Sequence, residues 1–510
     1  MPFHPPSITE LSPISDTYGL GLSDDELAEF VPHIKEVLSS WDLVDELHEQ
    51  IRPHAVTRSW GRPDHNPFAA WYVTCDITES GDGPLAGRTV AVKDNTAVAG
   101  VPMMNGSAAL AGFVPDRDAT VVTRMLAAGA TIAGKAVCED LCFSGASHTS
   151  ATGPVRNPWD PNRTTGGSSS GSAALVAAGI VDIATGGDQG GSVRLPAAFT
   201  GIVGHKPTHG LVPYTGAFPI EQTLDHLGPM TRTVADAALL LGVIAGRDGL
   251  DPRQPTDVTV PDYVAQLQRP VAGMRVGVLR EGFGHPEAVP GVDDAVRRAV
   301  DVLRTQGMHC EDVSIPWHKH GRKIWDVIAV EGATTQMIDG NGYGMNWQGA
   351  YDPALIEHFG SRRQADGTLL PDTVKLVLLT GRHTIQRHHG AHYAKARNLV
   401  PRLRAAYDDA LSRFDVIVMP TTPLVATPIP VADAPRDEYL ARALEMMANT
   451  AGFDVSGHPA CSVPAGLVDG LPTGMMIVGR HFDDATVLRV AHAYEKATGG
   501  FLLPPKVGAP

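Results

Sequence analysis

Two segments rich in serine and glycine carry the residues best suited to nucleophilic chemistry. The first runs from Gly166 to Ser172 and the second from Gly186 to Ser192, and residues 164–193 contain only two charged side chains, Asp182 and Asp188. Each segment leads into a predicted helix, and backbone N–H groups at a helix N-terminus favour negative charge. The pattern therefore favours a site in which backbone N–H groups stabilise a developing oxyanion.

Two other interpretations of these segments are weaker. A phosphate-binding loop would end in Gly-Lys-Ser or Gly-Lys-Thr, whereas Gly171 is followed by Ser172 and Ala173. Residues 167–171 match the G-x-S-x-G nucleophile elbow of serine hydrolases, which would make Ser169 the nucleophile. That elbow follows a strand, but residues 156–163 are a turn-forming run with two prolines. We therefore expect this match to be accidental.

Composition excludes several classes of protein. The 510 residues include 54 glycines and 40 prolines, but 43% are hydrophobic, which argues against disorder. A net charge of −15 disfavours binding to nucleic acid or to anionic membranes. Five scattered cysteines indicate reduced thiols. The N-terminus has no basic region before an apolar stretch, and no apolar run is long enough to span a membrane. We therefore expect a soluble, cytoplasmic protein.

The elements that must position these segments alternate along the chain. Residues 1–80 predict a helical extension, in which Ser23 and Glu26 form a capping box and Pro32 should kink or split the helix. Residues 81–505 are predicted to form the catalytic domain, with a candidate helical sub-region at about 262–410. Short buried strands alternate there with helices, which predicts an α/β fold with a central mixed, mostly parallel β-sheet flanked by helices.

Beyond these patterns, the run from Gly166 to Pro207 resembles the signature block of the amidase signature family. Residues 90–94 resemble the family's lysine motif, and residues 134–139 resemble the segment that follows it. Later matches occur at residues 224–229, 419–423 and 457–464, so the resemblance extends from about residue 85 to 495. It implies the amidase signature fold and hydrolysis of a small carboxylic acid amide to the acid and ammonia, without a metal or other cofactor.

The resemblance also implies a Ser-cisSer-Lys triad. Ser192 matches the nucleophile, Ser168 the bridging serine after a cis peptide, and Lys93 the general base. A lysine can act as a base only in its neutral form, which burial favours. The oxyanion hole would consist of the N–H groups of Gln189, Gly190, Gly191 and Ser192.

Gln189 stands where most members of the family have threonine. With residues 204–207 and 212–219, it resembles the subgroup of enantioselective amidases associated with nitrile hydratase. That similarity implies the helical N-terminal extension, a homodimer, and a substrate pocket lined by Phe143, Leu224 and Trp325. Ordinary core packing is the alternative role of these three side chains.

Several alternatives remain open at this stage. The chain could be the glutaminase subunit of a tRNA-linked amidotransferase, an aryl-acylamide, carbamate or ester hydrolase of the same family, or a catalytically silent binder of small molecules. Lys93 could form a salt bridge to Asp94, and Lys135 and Lys206 are rival bases. Neither the pair Cys138 and Cys142 nor the histidines at 318, 320, 388, 389 and 392 have the paired spacing of a zinc site, so we expect no metal.

Overall fold

The computed structural model describes residues 3–53, 56–343 and 347–505. The chain divides into two units, one up to Val56 and one from Thr57. This division lies upstream of residue 80, so residues 57–80 group with the second unit. The first unit contains α1 (Ile8–Tyr18) and α2 (Asp24–Glu49). The predicted capping box begins α2, with Glu26 N donating to Ser23 Oγ at 3.3 Å, and α2 continues through Pro32 without a split.

The second unit contains the sheet and the remaining helices. Its strands are β1 (Trp60–Gly61), β2 (Trp71–Ile77), β3 (Thr89–Lys93), β4 (Thr131–Ala136), β5 (Ile183–Asp188), β6 (Val203–Lys206), β7 (His226–Thr231), β8 (Arg275–Leu279), β9 (His309–Val313), β10 (Val416–Pro420), β11 (Ala460–Val468) and β12 (Leu471–Val478). Its helices are α3 (Thr120–Ala127), α4 (Ser170–Ala177), α5 (Arg194–Thr200), α6 (Val234–Ile244), α7 (Tyr263–Gln266), α8 (Val292–Thr305), α9 (His318–Ala333), α10 (Pro353–Ala365), α11 (Asp372–His388), α12 (Ala391–Arg413), α13 (Arg436–Leu444), α14 (Ala451–Ser456) and α15 (Asp484–Ala497).

All twelve strands form one mixed sheet in the order β1-β2-β4-β3-β5-β7-β6-β11-β12-β10-β8-β9. The predicted α/β fold with a mixed sheet is confirmed, but the expectation that most pairings are parallel is wrong. Among the described residues, only β3 with β4 and β5, and β8 with β9 and β10, are parallel. One short connection accounts for part of the difference. Asp469 and Gly470 alone join β11 to β12, both with positive φ, and a two-residue turn permits only antiparallel pairing.

The middle of the sheet positions the site. The parallel strands β3 and β5 end at Lys93 and Asp188, so these two residues lie at the same edge of the sheet. Helix α4 is buried along its whole length and packs on both strands. Gly171 in α4 permits close contact with the backbone next to β2, because a Cβ there would come within 2.4 Å of Ala70 O. Among the described residues, no helix has the length and apolar character needed to cross a membrane.

Candidate active site

Lys93 and Ser168 meet in the buried interior at the end of β3. The Nζ atom of Lys93 lies 2.8 Å from Ser168 Oγ and 3.2 Å from Gly187 O, and the side chain has no exposed surface. The peptide between Gly167 and Ser168 is cis. Asp94, the alternative salt-bridge partner of Lys93, instead pairs with Lys135 at 2.9 Å. The structure thus brings together two of the three residues in the predicted triad.

Ser192 lies on the loop between β5 and α5, directly beside the segment that carries Ser168. Its carbonyl oxygen accepts a hydrogen bond from Ser169 N at 3.4 Å, which joins the two serine segments. The Ser192 side chain is 6% exposed and lines a pocket, whereas Ser169 is fully buried. The Ser169 hydroxyl accepts from Gly187 N and donates to Gly187 O, both at 3.2 Å. The Ser169 hydroxyl therefore links this segment to β5 by hydrogen bonds. Ser169 does not line the pocket, as a nucleophile would.

A buried ion-pair network holds the loop at the end of β5. Asp188 accepts hydrogen bonds from Gly191 N at 2.6 Å and Val193 N at 3.0 Å, and pairs with Arg194 at 2.9 Å. Arg194 also contacts Asp454 at 2.7 Å. Burial opposes ionisation of Asp188, but the Arg194 charge and these hydrogen bonds hold its pKa well below the ordinary value. Burial and the Asp188 charge raise the pKa of Asp454.

The four N–H groups predicted for the oxyanion hole do not share one environment. Gly191 N is already bonded to Asp188, whereas the N–H groups of Gln189, Gly190 and Ser192 have no acceptor among the described residues. The carbonyl of Gln189 accepts a 2.5 Å hydrogen bond from Trp325 Nε1. Because the carbonyl and the next N–H belong to one planar peptide, this bond also fixes the direction of Gly190 N–H. Three N–H groups remain available to an oxyanion.

The predicted pocket residues line one pocket with Ser192, the predicted nucleophile. Phe143, Leu224 and Trp325 contribute to its wall, and the Phe143 and Trp325 rings lie 6.5 Å apart. The Gln189 side chain is 3% exposed, with Nε2 bonded to Tyr214 Oη at 2.9 Å and Oε1 unpartnered among the described residues. The walls are mainly apolar, which suits an uncharged substrate.

Cys142 is a residue of this pocket that sequence reasoning does not find. Its thiol lines the pocket and shares Asn105 Oδ1 with Cys138, at 3.2 and 3.3 Å. Burial opposes its ionisation, but the hydrogen bond with Cys138 and the charge of Lys93 lower the pKa of Cys142 to about 6. No local motif signals this contact, since it depends on the left-handed backbone at Leu141 and Cys142.

Lys135 and Lys206, the alternative candidates for the general base, contact other groups. Lys135 is paired with Asp94, as described above. Lys206 donates to His458 O at 2.7 Å and to Pro207 O at 3.2 Å, and burial lowers its pKa to about 8. Of the histidines considered for a metal, His318 is buried between Tyr407 Oη at 2.8 Å and Asn449 Oδ1 at 3.1 Å. Hydrogen bonds within the core thus account for its two ring nitrogens.

Known proteins with a similar sequence or fold include amidases and an amidotransferase subunit. A family model described as Amidase matches residues 69–488. The chain is 56% identical over 511 residues to an enantioselective amidase from Rhodococcus rhodochrous, covering 99% of this chain and 98% of that protein. A solved glutamyl-tRNA(Gln) amidotransferase subunit from Thermotoga maritima is similar with a TM-score of 0.71 and 34% identity, over 86% of this chain and 91% of that one. Peptide amidase from Stenotrophomonas maltophilia gives 0.69 and 31%, over 83% and 85%.

Proposed function

This chain belongs to the amidase signature family and is an amidase, and we propose that it hydrolyses a small carboxylic acid amide through an acyl-enzyme on Ser192. The products are the carboxylic acid and ammonia. One observation carries the proposed roles of the residues: the buried Lys93 Nζ lies 2.8 Å from Ser168 Oγ, beside the loop that holds Ser192 at the pocket.

The proposed proton path begins at the hydrogen bond between Lys93 and Ser168, and its extension to Ser192 rests on the resemblance to the family's triad. Neutral Lys93 accepts the Ser168 proton, Ser168 takes the proton of Ser192, and Ser192 Oγ attacks the substrate carbonyl. Returning the proton along the same path protonates the leaving amine, which departs as ammonia. Water then attacks the acyl-enzyme with the same groups acting as base and acid.

The oxyanion of each tetrahedral intermediate is stabilised by backbone donors. Gly190 N–H and Ser192 N–H, with Gln189 N–H beside them, are the groups of this loop without another acceptor among the described residues. Gly191 N–H contributes indirectly, since its bond to Asp188 holds the loop in shape. Removing one direct donor of this kind typically costs about 2.7–4 kcal/mol of barrier.

Ammonia release with a panel of primary amides tests the proposal. Wild type should release ammonia, whereas Ser192→Ala and Lys93→Met should lose nearly all turnover while remaining folded. Phenylmethylsulfonyl fluoride should add its sulfonyl group to Ser192, as peptide mass mapping would show. Turnover retained in Ser192→Ala, or labelling of Ser169 in its place, would overturn the assignment. Because the Rhodococcus relative is named enantioselective, the panel includes both enantiomers of a chiral amide.

The alternatives within the family differ in what they need. A glutaminase subunit of a tRNA-linked amidotransferase would depend on partner subunits, whereas an aryl-acylamide, carbamate or ester hydrolase would prefer those substrates over primary amides. The near full-length similarity to the Rhodococcus amidase supports a self-sufficient enzyme. A purified chain that hydrolyses only glutamine, and only with partners added, would favour the amidotransferase.

We further propose that the enzyme is a cytoplasmic homodimer. Helix α2 exposes large apolar side chains to solvent, among them Phe30, Trp41 and Leu47. Exposed apolar patches of this kind mark association surfaces. Light scattering coupled to gel filtration should give twice the chain mass, and Trp41→Glu should shift the protein towards the monomer. A monomeric wild type would refute this part of the proposal.

A further inference from the structure

Two histidines and one aspartate meet outside the residues that line the Ser192 pocket. Asp408 is on α12, His458 follows α14 and His481 follows β12. His458 Nε2 lies 3.0 Å from Asp408 Oδ1, and His481 Nδ1 lies 3.9 Å from the same oxygen. All three potential ligand atoms lie within 4.8 Å of one another. The proposed hydrolysis uses none of these side chains.

We propose that Asp408, His458 and His481 bind one divalent transition-metal ion of the zinc type. Zinc takes histidine nitrogen and carboxylate oxygen at about 2.0–2.2 Å, so the ligand atoms of one ion lie roughly 3–4 Å apart. Two of the separations, 3.0 and 3.9 Å, fall within this range, and the third is at most 4.8 Å. Imidazole with carboxylate is a donor set that zinc, nickel and cobalt accept.

Ser456 orients both histidines for this role. Its carbonyl oxygen lies 2.9 Å from His481 Nε2, and a carbonyl can only accept, so the His481 proton stays on Nε2 and the Nδ1 lone pair faces Asp408. Its hydroxyl lies 3.0 Å from His458 Nδ1, whereas His458 Nε2 hydrogen-bonds Asp408 Oδ1 at 3.0 Å. An ion that binds Nε2 would displace this proton to Nδ1, where the Ser456 hydroxyl can accept it. Partners that fix the tautomer of a ligating histidine in this way are typical of metal sites.

The charges around the cluster set how tightly an ion binds. Two cations oppose the ion: Arg404 Nε donates to Ser456 O at 3.0 Å, and Lys206 Nζ donates to His458 O at 2.7 Å. Because Asp408 is the single carboxylate of the cluster among the described residues, we expect micromolar affinity for Zn²⁺.

The ion has an entry path and an open coordination position. The carboxylate of Asp408 is half exposed and His481 is a quarter exposed, whereas His458 is buried. Zinc would therefore arrive from solvent and keep water as a fourth ligand. Bound there, it would join α12 to the segments that follow α14 and β12.

Titration calorimetry of the full chain with Zn²⁺, after removal of any affinity tag, tests the proposal. One ion should bind per chain with micromolar affinity. Asp408→Asn and His481→Gln should each weaken binding roughly tenfold or more. The glutamine amide can still donate to Ser456 O, so His481→Gln removes the ligand atom with little other change.

Matched control variants distinguish specific binding at this cluster from adventitious binding elsewhere on the protein. Asp409→Asn alters the next carboxylate on α12, which pairs with Arg413, and His320→Gln removes an exposed histidine elsewhere. Both should bind Zn²⁺ as wild type does. The proposal is overturned if wild type binds no ion, or if binding is equally strong in Asp408→Asn and His481→Gln. Wild-type ammonia release without added Zn²⁺ would still be expected, so this result stands apart from the test of the proposed function.

Discussion

Replacing Trp325 by phenylalanine isolates one hydrogen bond that shapes the proposed oxyanion hole. The indole Nε1 donates to Gln189 O at 2.5 Å, and that carbonyl shares a peptide plane with Gly190 N–H. Phenylalanine keeps the aromatic wall of the pocket but lacks the donor. The Gln189 carbonyl is then buried without a partner, and the peptide is free to rotate away from the direction that the substrate oxygen requires.

The size of the effect follows from the role of the bond. Losing a direct oxyanion donor costs about 2.7–4 kcal/mol, and losing a neutral hydrogen bond costs about 0.5–1.5 kcal/mol. Trp325 acts on the donor through one peptide, so we expect about 1–2 kcal/mol of lost transition-state stabilisation. This corresponds to a fall in kcat of about 5-fold to 30-fold.

Steady-state ammonia release with a primary amide measures kcat and KM separately. A pocket wall alone would change KM and leave kcat intact, whereas a fixed donor acts on kcat. Trp317→Phe is the matched control, because the Trp317 indole makes no hydrogen bond to the loop among the described residues. Gly190→Ala should also lower kcat, since its Cβ would approach Trp325 Cζ2 to 2.9 Å. If Trp325→Phe raises KM and keeps the wild-type kcat, the reasoning is wrong.

Two further predictions concern stability. Arg194→Met should lower the free energy of unfolding by about 3–5 kcal/mol, because it leaves Asp188 charged and unpaired in the interior. Arg304→Met, which removes an exposed ion pair, should lower it by about 0–1 kcal/mol. Equal midpoints of urea unfolding for the two variants would contradict this prediction. Burial raises the pKa of Glu139 from 4.5 to about 7. Between these two pH values the unfolded chain loses the Glu139 proton and the folded chain keeps it. The free energy of unfolding should therefore be highest below pH 4.5 and fall by about 3 kcal/mol as the pH rises to 7. Glu139→Gln cannot ionise, so its unfolding free energy should gain that amount over wild type across the same interval, and parallel pH profiles would refute the assignment.

Much of the candidate site could be predicted from the sequence because its candidate catalytic residues lie in short contiguous motifs. Ser168 and Ser192 stand in glycine-rich segments with almost no charge, and Lys93 ends an apolar strand. Such local features can be recognised in the sequence without knowledge of the fold. The structure places Lys93 against Ser168, as the motif implied, while the catalytic roles remain predictions for the Ser192→Ala experiment.

Other features depend on partners far away along the chain. The alternation of strands and helices overestimates the parallel share of the sheet, since strand direction depends on connections such as the two-residue turn between β11 and β12. The direction of Gly190 N–H depends on Trp325, which lies 136 residues beyond Gln189.

The sequence by itself determined the family, the candidate nucleophile and base, and the mixed α/β class, because residue type and short spacing carry that information. The tertiary structure alone decided which backbone N–H groups of the loop lack an acceptor among the described residues, that Cys142 lies beside Lys93, and that Asp408 meets His458 and His481. These contacts join segments that only folding brings together. Their geometry depends on the direction of hydrogen bonds and the depth of burial, which a linear pattern does not encode.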